Sequence, residues 1–117
     1  MANIPILRLE GYVIVSIQDD LSDQEAEDLQ KRLLESLAVR TAHGVLIDVS
    51  GLEIVDSYFC RILRDTAAMA QLMGVGTCVT GLAPAVAVTL TELGLDLSMV
   101  HTEGNLDRGL EWLRGRD

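Results

Sequence analysis

Residues 44–74 read GVLIDVSGLEIVDSYFCRILRDTAAMAQLMG, and this stretch decides the fold. Val45, Leu46, Ile47 and Val49 form a short apolar run behind Gly44, interrupted only by Asp48. A strand covered on both faces reads this way. After the Ser50-Gly51 turn and the apolar pair Ile54-Val55, the spacing changes to that of a helix. Asp56 and Ser57 can both accept bonds from the free N–H groups of a first turn, so the helix is expected to start at or beside Ser57. Phe59, Ile62, Leu63, Ala70 and Met73 recur at three- and four-residue spacings and mark its apolar face, and Gly74 ends it. The other face carries Tyr58, Arg61, Arg64, Asp65, Ala68 and Leu72, which suits either plain solvated surface or a partner.

Working outward, Ile4 to Glu10 and Val13 to Ile17 are β-rich runs separated by Gly11, and they predict an opening hairpin with Pro5 on its edge strand. Asp19 to Asp28 holds six acids in ten residues. Within it Ser22-Asp23-Gln24-Glu25 matches the S-x-x-E capping box, so a helix follows, with Ala26, Leu29, Leu33 and Leu37 on its inner stripe to about Arg40. Beyond the central stretch, Val75 to Thr80 reads as a buried strand. Pro84 is placed as a first helical residue, and AVAVTLTEL as a short, well-buried helix ending at Gly94. Met99 to Thr102 predicts a last strand, and Asn105 caps a final helix with Leu106, Leu110 and Leu113 on one side. The order β-β-α-β-α-β-α-β-α implies an α/β fold in one domain spanning residues 1–117: a mixed, mostly parallel sheet of about four to five strands with helices packed on it.

Composition narrows the function. The 117 residues suffice for a core without metals or disulfides. With 49% hydrophobic but only 3% aromatic residues, that core is packed with Leu, Val, Ile and Ala. A net charge of −9 and a pI near 4.5 argue against a grip on nucleic acid or an anionic membrane. Cys60 and Cys78 form no C-x-x-C pair and read as free thiols of a reducing compartment. The N-terminus MANIPILRLEG has no signal-peptide character, so a cytoplasmic protein is expected.

Signals for catalysis are weak. His43 and His101 are each isolated from any pattern of metal-ligand spacing, which favours surface or loop histidines, and no phosphate-binding glycine motif or G-x-S-x-G occurs. Neither a metal nor a cofactor is expected, and no catalytic residue. Asp19-Asp20 and Asp48 suggest the acidic pocket of a phosphoaspartate receiver. The single lysine, Lys31, lies in the first helix, however, rather than late in the chain where that chemistry needs it. Cys60 near a helix start could gain thiolate character, but a packed cysteine is the commoner outcome.

On pattern alone Ser57 is most economically a helix cap. The block IDVSGLEIVDS, a helix, and then TCVTGLAPAVAVTLTELGL resemble the STAS domain of bacterial anti-sigma-factor antagonists over nearly the entire chain. The resemblance implies a non-catalytic signalling protein in which Asp56-Ser57 is the switch motif and Ser57 the phosphoacceptor. In simple antagonists the motif continues with a second Ser or Thr and a Gly; here Tyr58 and Phe59 follow. That departure, with IPILRLE and VSIQ near the start, is similar to the small scaffold subunits of the stressosome. The partners so implied are an RsbT-type serine kinase, RsbR-type STAS subunits and further copies of the chain in a large assembly. Glu53, Tyr58, Arg61, Arg64, Asp65 and Leu72 become the candidate contact face. A free antagonist binding an anti-sigma kinase keeps the same fold with another partner. A small-ligand module using Gly81 to Pro84 or Asp19 to Ser22 has no cluster of phosphate-binding residues behind it.

Overall fold

The computed structural model describes residues 4–53, 55–92 and 100–115. Their elements run β1 (Ile6–Leu9), β2 (Tyr12–Ser16), α1 (Asp23–Val39), β3 (Gly44–Asp48), α2 (Ser57–Leu72), β4 (Thr77–Thr80), α3 (Pro84–Glu92), β5 (Val100–Glu103) and α4 (Leu106–Arg114). The five strands lie side by side in chain order, β1 antiparallel to β2 and all later pairs parallel. This is the mixed, mostly parallel α/β sheet expected. The two residues between β1 and β2, Glu10 (φ 55°) and Gly11 (φ 86°), both have positive φ. Such a two-residue loop has the twist that closes a hairpin tightly, and it fixes the register that pairs Leu9 with Tyr12.

Alternation along the strands sorts side chains onto two faces. Val13, Val15, Val45, Ile47 and Val79 meet Leu29 and Leu33 of α1 and Phe59 and Leu63 of α2. Tyr12, Ile14, Leu46 and Cys78 point the other way, where, among the described residues, α4 covers them with Leu110 and Leu113. α3 packs through Val86 and Leu90 against Cys60 of α2. The first helix is built as its sequence dictates: Glu25 N donates to Ser22 Oγ (3.1 Å) and Ser22 N to Glu25 Oε1 (3.0 Å), closing the capping box.

Four expectations need correction. α3 is not well buried: only Val86 and Leu90 are, and Val88 is 54% exposed, because the helix leans on α2 and presents most of its turns to solvent. Met73 is 43% exposed, since it is the residue that closes α2 rather than part of the packed stripe. Leu106 is 38% exposed at the first turn of α4, ahead of the residues that reach the sheet. β4 begins at Thr77 and not Val75, because Val75 N donates to Ala70 O while Gly74 (φ 82°) donates to Gln71 O; this pair of bonds ends α2 and occupies Val75. The expected helix end at Gly94, Ile54, and the share of Met99 in the last strand lie outside the described residues.

Candidate functional site

β3 carries the chain into the middle of the sheet and releases it at Asp48. That carboxylate is buried at 8% exposure and accepts two hydroxyls, Thr80 Oγ1 on Oδ1 and Ser50 Oγ on Oδ2, each at 2.7 Å. Two charge-assisted bonds compensate its loss of water and tie the loop after β3 to the end of β4. At Gly51 a side chain would meet the Gln18 backbone at 2.6 Å, so the β2–α1 and β3–α2 connections touch backbone to backbone. The segment leading to Ser57 is therefore held from both sides.

The helix start divides its labour. Asp56, extended at φ −89° and ψ 172°, is the cap, and its Oδ1 accepts from Phe59 N at 2.8 Å. Ser57 is the first helical residue, half-buried, and makes no side-chain hydrogen bond to a described residue. The economical reading of Ser57 as the cap is thus corrected: the neighbouring carboxylate does that work. A free hydroxyl remains at a helix N-terminus, where unsatisfied N–H groups and the dipole favour an added anion.

Tyr58 turns toward α1 and donates to Glu27 Oε1 at 2.7 Å. That bond to a carboxylate, helped by desolvation and by the charges of Glu27 and Asp23, pushes the phenol up from 10.0 to about 12. The raised value means that Tyr58 supports the fold fully below pH 10 and that this support is lost as pH rises toward 12. In an ultraviolet phenolate titration, Glu27→Gln is expected to shift one tyrosine step from near pH 12 back toward 10. A titration unchanged by the substitution would show that the bond does not form.

The rest of the candidate face is only partly brought together. Glu53, in the preceding loop, and Arg61 are exposed, while Arg64 and Asp65 are half-buried and pair with each other (Nη2 to Oδ1, 2.9 Å). Leu72 is 89% exposed at the far end of the helix, about 22 Å along its axis from Ser57. A partner touching both would have to lie along the whole of α2. Cys60 is packed at 1% exposure, and burial, then the Asp56 charge, push its thiol up, which disfavours the reactive thiolate. His101 is a strand residue rather than a loop one: it stacks on Trp112 (centroids 3.9 Å, planes 4° apart) and pairs with Glu103, fastening α4 to β5. The sequence offers Asp19 to Ser22 as a helix start and as a small-ligand alternative; that Asp20 and Leu21 lie against Asp56 emerges only from the fold, their place just ahead of the capping box being the sequence signal for it.

This arrangement, a parallel sheet delivering an Asp-Ser pair to the first turn of α2, is that of a STAS domain. A STAS-domain model matches residues 3–109, and the chain belongs to that family. It is similar to RsbS of Moorella thermoacetica, solved as a serine-to-glutamate variant, with 38% identity and a TM-score of 0.90 over 98% of this chain and 97% of that one. A chain from a structure of the stressosome, described as a signal integration and transduction hub, gives 40% identity and a TM-score of 0.85 over 96% and 97%. The RsbT co-antagonist protein RsbRA of Bacillus subtilis (strain 168) is 26% identical over 108 residues, 92% of this chain and 39% of its own length. The chain spans about two fifths of the length of the RsbR relatives that it matches. No helix among the described residues is long and apolar enough to cross a membrane.

Proposed function

We propose that this chain is a phosphorylation-switched scaffold subunit of a stressosome-type assembly. With RsbR-type STAS subunits it holds an RsbT-type serine kinase, and it helps release that kinase when Ser57 is phosphorylated. The observation that carries the reading is the Ser57 hydroxyl on the first turn of α2, unbonded to any described residue, with Asp56 already serving as cap. Likeness to RsbS and to a stressosome chain supports the choice of assembly. In the transfer, Ser57 Oγ bonds to the γ-phosphorus of ATP, the bond to ADP breaks, and the hydroxyl proton leaves to a base of the kinase.

The product adds about −1.5 to −2 charge and three acceptor oxygens. The N-terminus of α2 tolerates this locally, whereas Glu53, Asp56 and any partner surface fitted to a neutral hydroxyl oppose it. Fold is retained and partner lost. The test is to incubate the chain and an RsbR-type subunit with the kinase and ATP, map phosphate by mass spectrometry, and size the assembly before and after. Phosphate on Ser57 with departure of the kinase from a large particle is expected. Phosphate elsewhere overturns the site, and a small complex with an anti-sigma kinase, needing no RsbR-type subunit, favours the free antagonist.

A further inference from the structure

Beside Ser57 lies a cavity of about 240 Å3 lined by Asp20, Leu21, Leu52, Val55, Asp56 and Phe59. It opens between the loop that enters α1 and the loop that enters α2, and Asp56 of its wall is the residue next to Ser57 in the chain. The wall chemistry is of two kinds. Leu52 and Phe59 are buried at 2% and 9% exposure and Leu21 and Val55 are half-buried, giving an apolar floor; Asp20 and Asp56 are exposed and carry the negative charge.

No described ion pair involves either aspartate: the three present are Arg64–Asp65, His101–Glu103 and Arg114–Glu10. Asp56 spends Oδ1 on the Phe59 N–H, a neutral donor that brings no full counter-charge. Two occupants are disfavoured. The volume falls below the roughly 300–1,000 Å3 of small-molecule sites, and no group of three metal-ligating side chains occurs among the described residues.

We infer that this cavity receives a lysine or arginine side chain of the kinase that phosphorylates Ser57, an inference that rests on the kinase-substrate reading above. A long cationic side chain matches both walls: its methylene stem packs on the Leu and Phe floor while its head meets the two carboxylates. Asp20 is then a recognition residue, and it lies outside the helices and outside the switch motif. Phosphorylation adds negative charge nearby and does not remove this contact. The cavity governs which kinase docks, and release arises where the phosphoryl group itself is enclosed.

The test is titration of a purified RsbT-type kinase against the parent chain, Asp20→Asn and Asp20→Lys, at low and moderate salt, with thermal melts to establish that each variant is folded. Asp20→Asn is expected to weaken binding about threefold and to flatten its salt dependence. Asp20→Lys, which places like charge against the incoming cation, is expected to weaken it about tenfold. Parent-like binding by folded Asp20→Lys overturns the inference while leaving the kinase-substrate reading standing. A parent chain that the kinase neither binds nor phosphorylates removes the partner, and both readings fall.

Discussion

A Ser57→Asp chain is expected to bind an RsbT-type kinase about 50-fold more weakly than the parent, a loss of about 2.3 kcal/mol. Ser57→Ala is expected to bind like the parent and to accept no phosphate. The difference comes from enclosing a charge at a contact built around a neutral hydroxyl. Unpaired polar and charged groups at an interface cost about 2 kcal/mol or more, and the Asp56 carboxylate next to it, already used as the helix cap, offers no counter-charge. The fold itself should not suffer, because an acid in the first turn of a 16-residue helix is favoured by the dipole by about 0.3–1 kcal/mol. Calorimetric titration separates the two effects: the melting temperature of Ser57→Asp stays at or above that of the parent while its Kd rises. Equal Kd values for the Ala and Asp forms would sink the switch.

The largest stability effect is expected at a residue with no part in the switch. Gly109→Val should lower unfolding free energy by about 3 kcal/mol, the upper end of what overpacking a close-fitted core costs. A Cβ at this position would lie 2.6 Å from Thr80 Cγ2, 2.8 Å from Leu46 Cδ1 and 3.4 Å from Cys78 Sγ. All three neighbours are fully buried in the middle of the sheet and cannot yield. The gain of up to about 1 kcal/mol in helix propensity on replacing glycine does not offset this. Urea denaturation reads the loss directly. A thiol reagent gives a second readout, since Cys78 lies under α4 and burial holds its thiol up at about 11; lifting α4 exposes it. A parent-like urea midpoint would mean that α4 does not seat on β3 and β4 as described.

The contrast between these two positions shows what the sequence could and could not convey. Element order and type were legible because each rests on local signals: the β-branched run of β3, the capping box of α1, Gly74 after α2 and Asn105 before α4. Partnership across the sheet was not. Gly109 looks in the sequence like a flaw in a helix, and only the strand it lands on makes it a requirement. The exposure of Val88, Met73 and Leu106 escaped for the same reason, because apolar spacing says which residues share a side of a helix and not how far the neighbouring layer extends. At the site, the Asp-Ser pair was visible, but the division into cap and free hydroxyl was not, since both side chains can accept the same backbone bond. The cavity beside it joins two loops more than thirty residues apart in the chain, and no periodicity reports such a meeting.

The strand order carries a consequence for what kind of molecule this chain can receive. In many open α/β sheets the strand sequence reverses direction at one point, adjacent crossovers depart to opposite sides, and the gap between them becomes a crevice deep enough for a nucleotide. Here the order runs from β1 to β5 without a reversal. Among the described residues, α1 and α2 share one face, with α3 leaning on α2, while α4 lies behind. Neighbouring loops at the carboxyl edge therefore stay together and form a continuous rim, pinned by Asp48, Ser50 and Thr80. Such a rim presents a surface rather than a crevice, and on the function proposed above Ser57 stands on it as a mark for another protein to read.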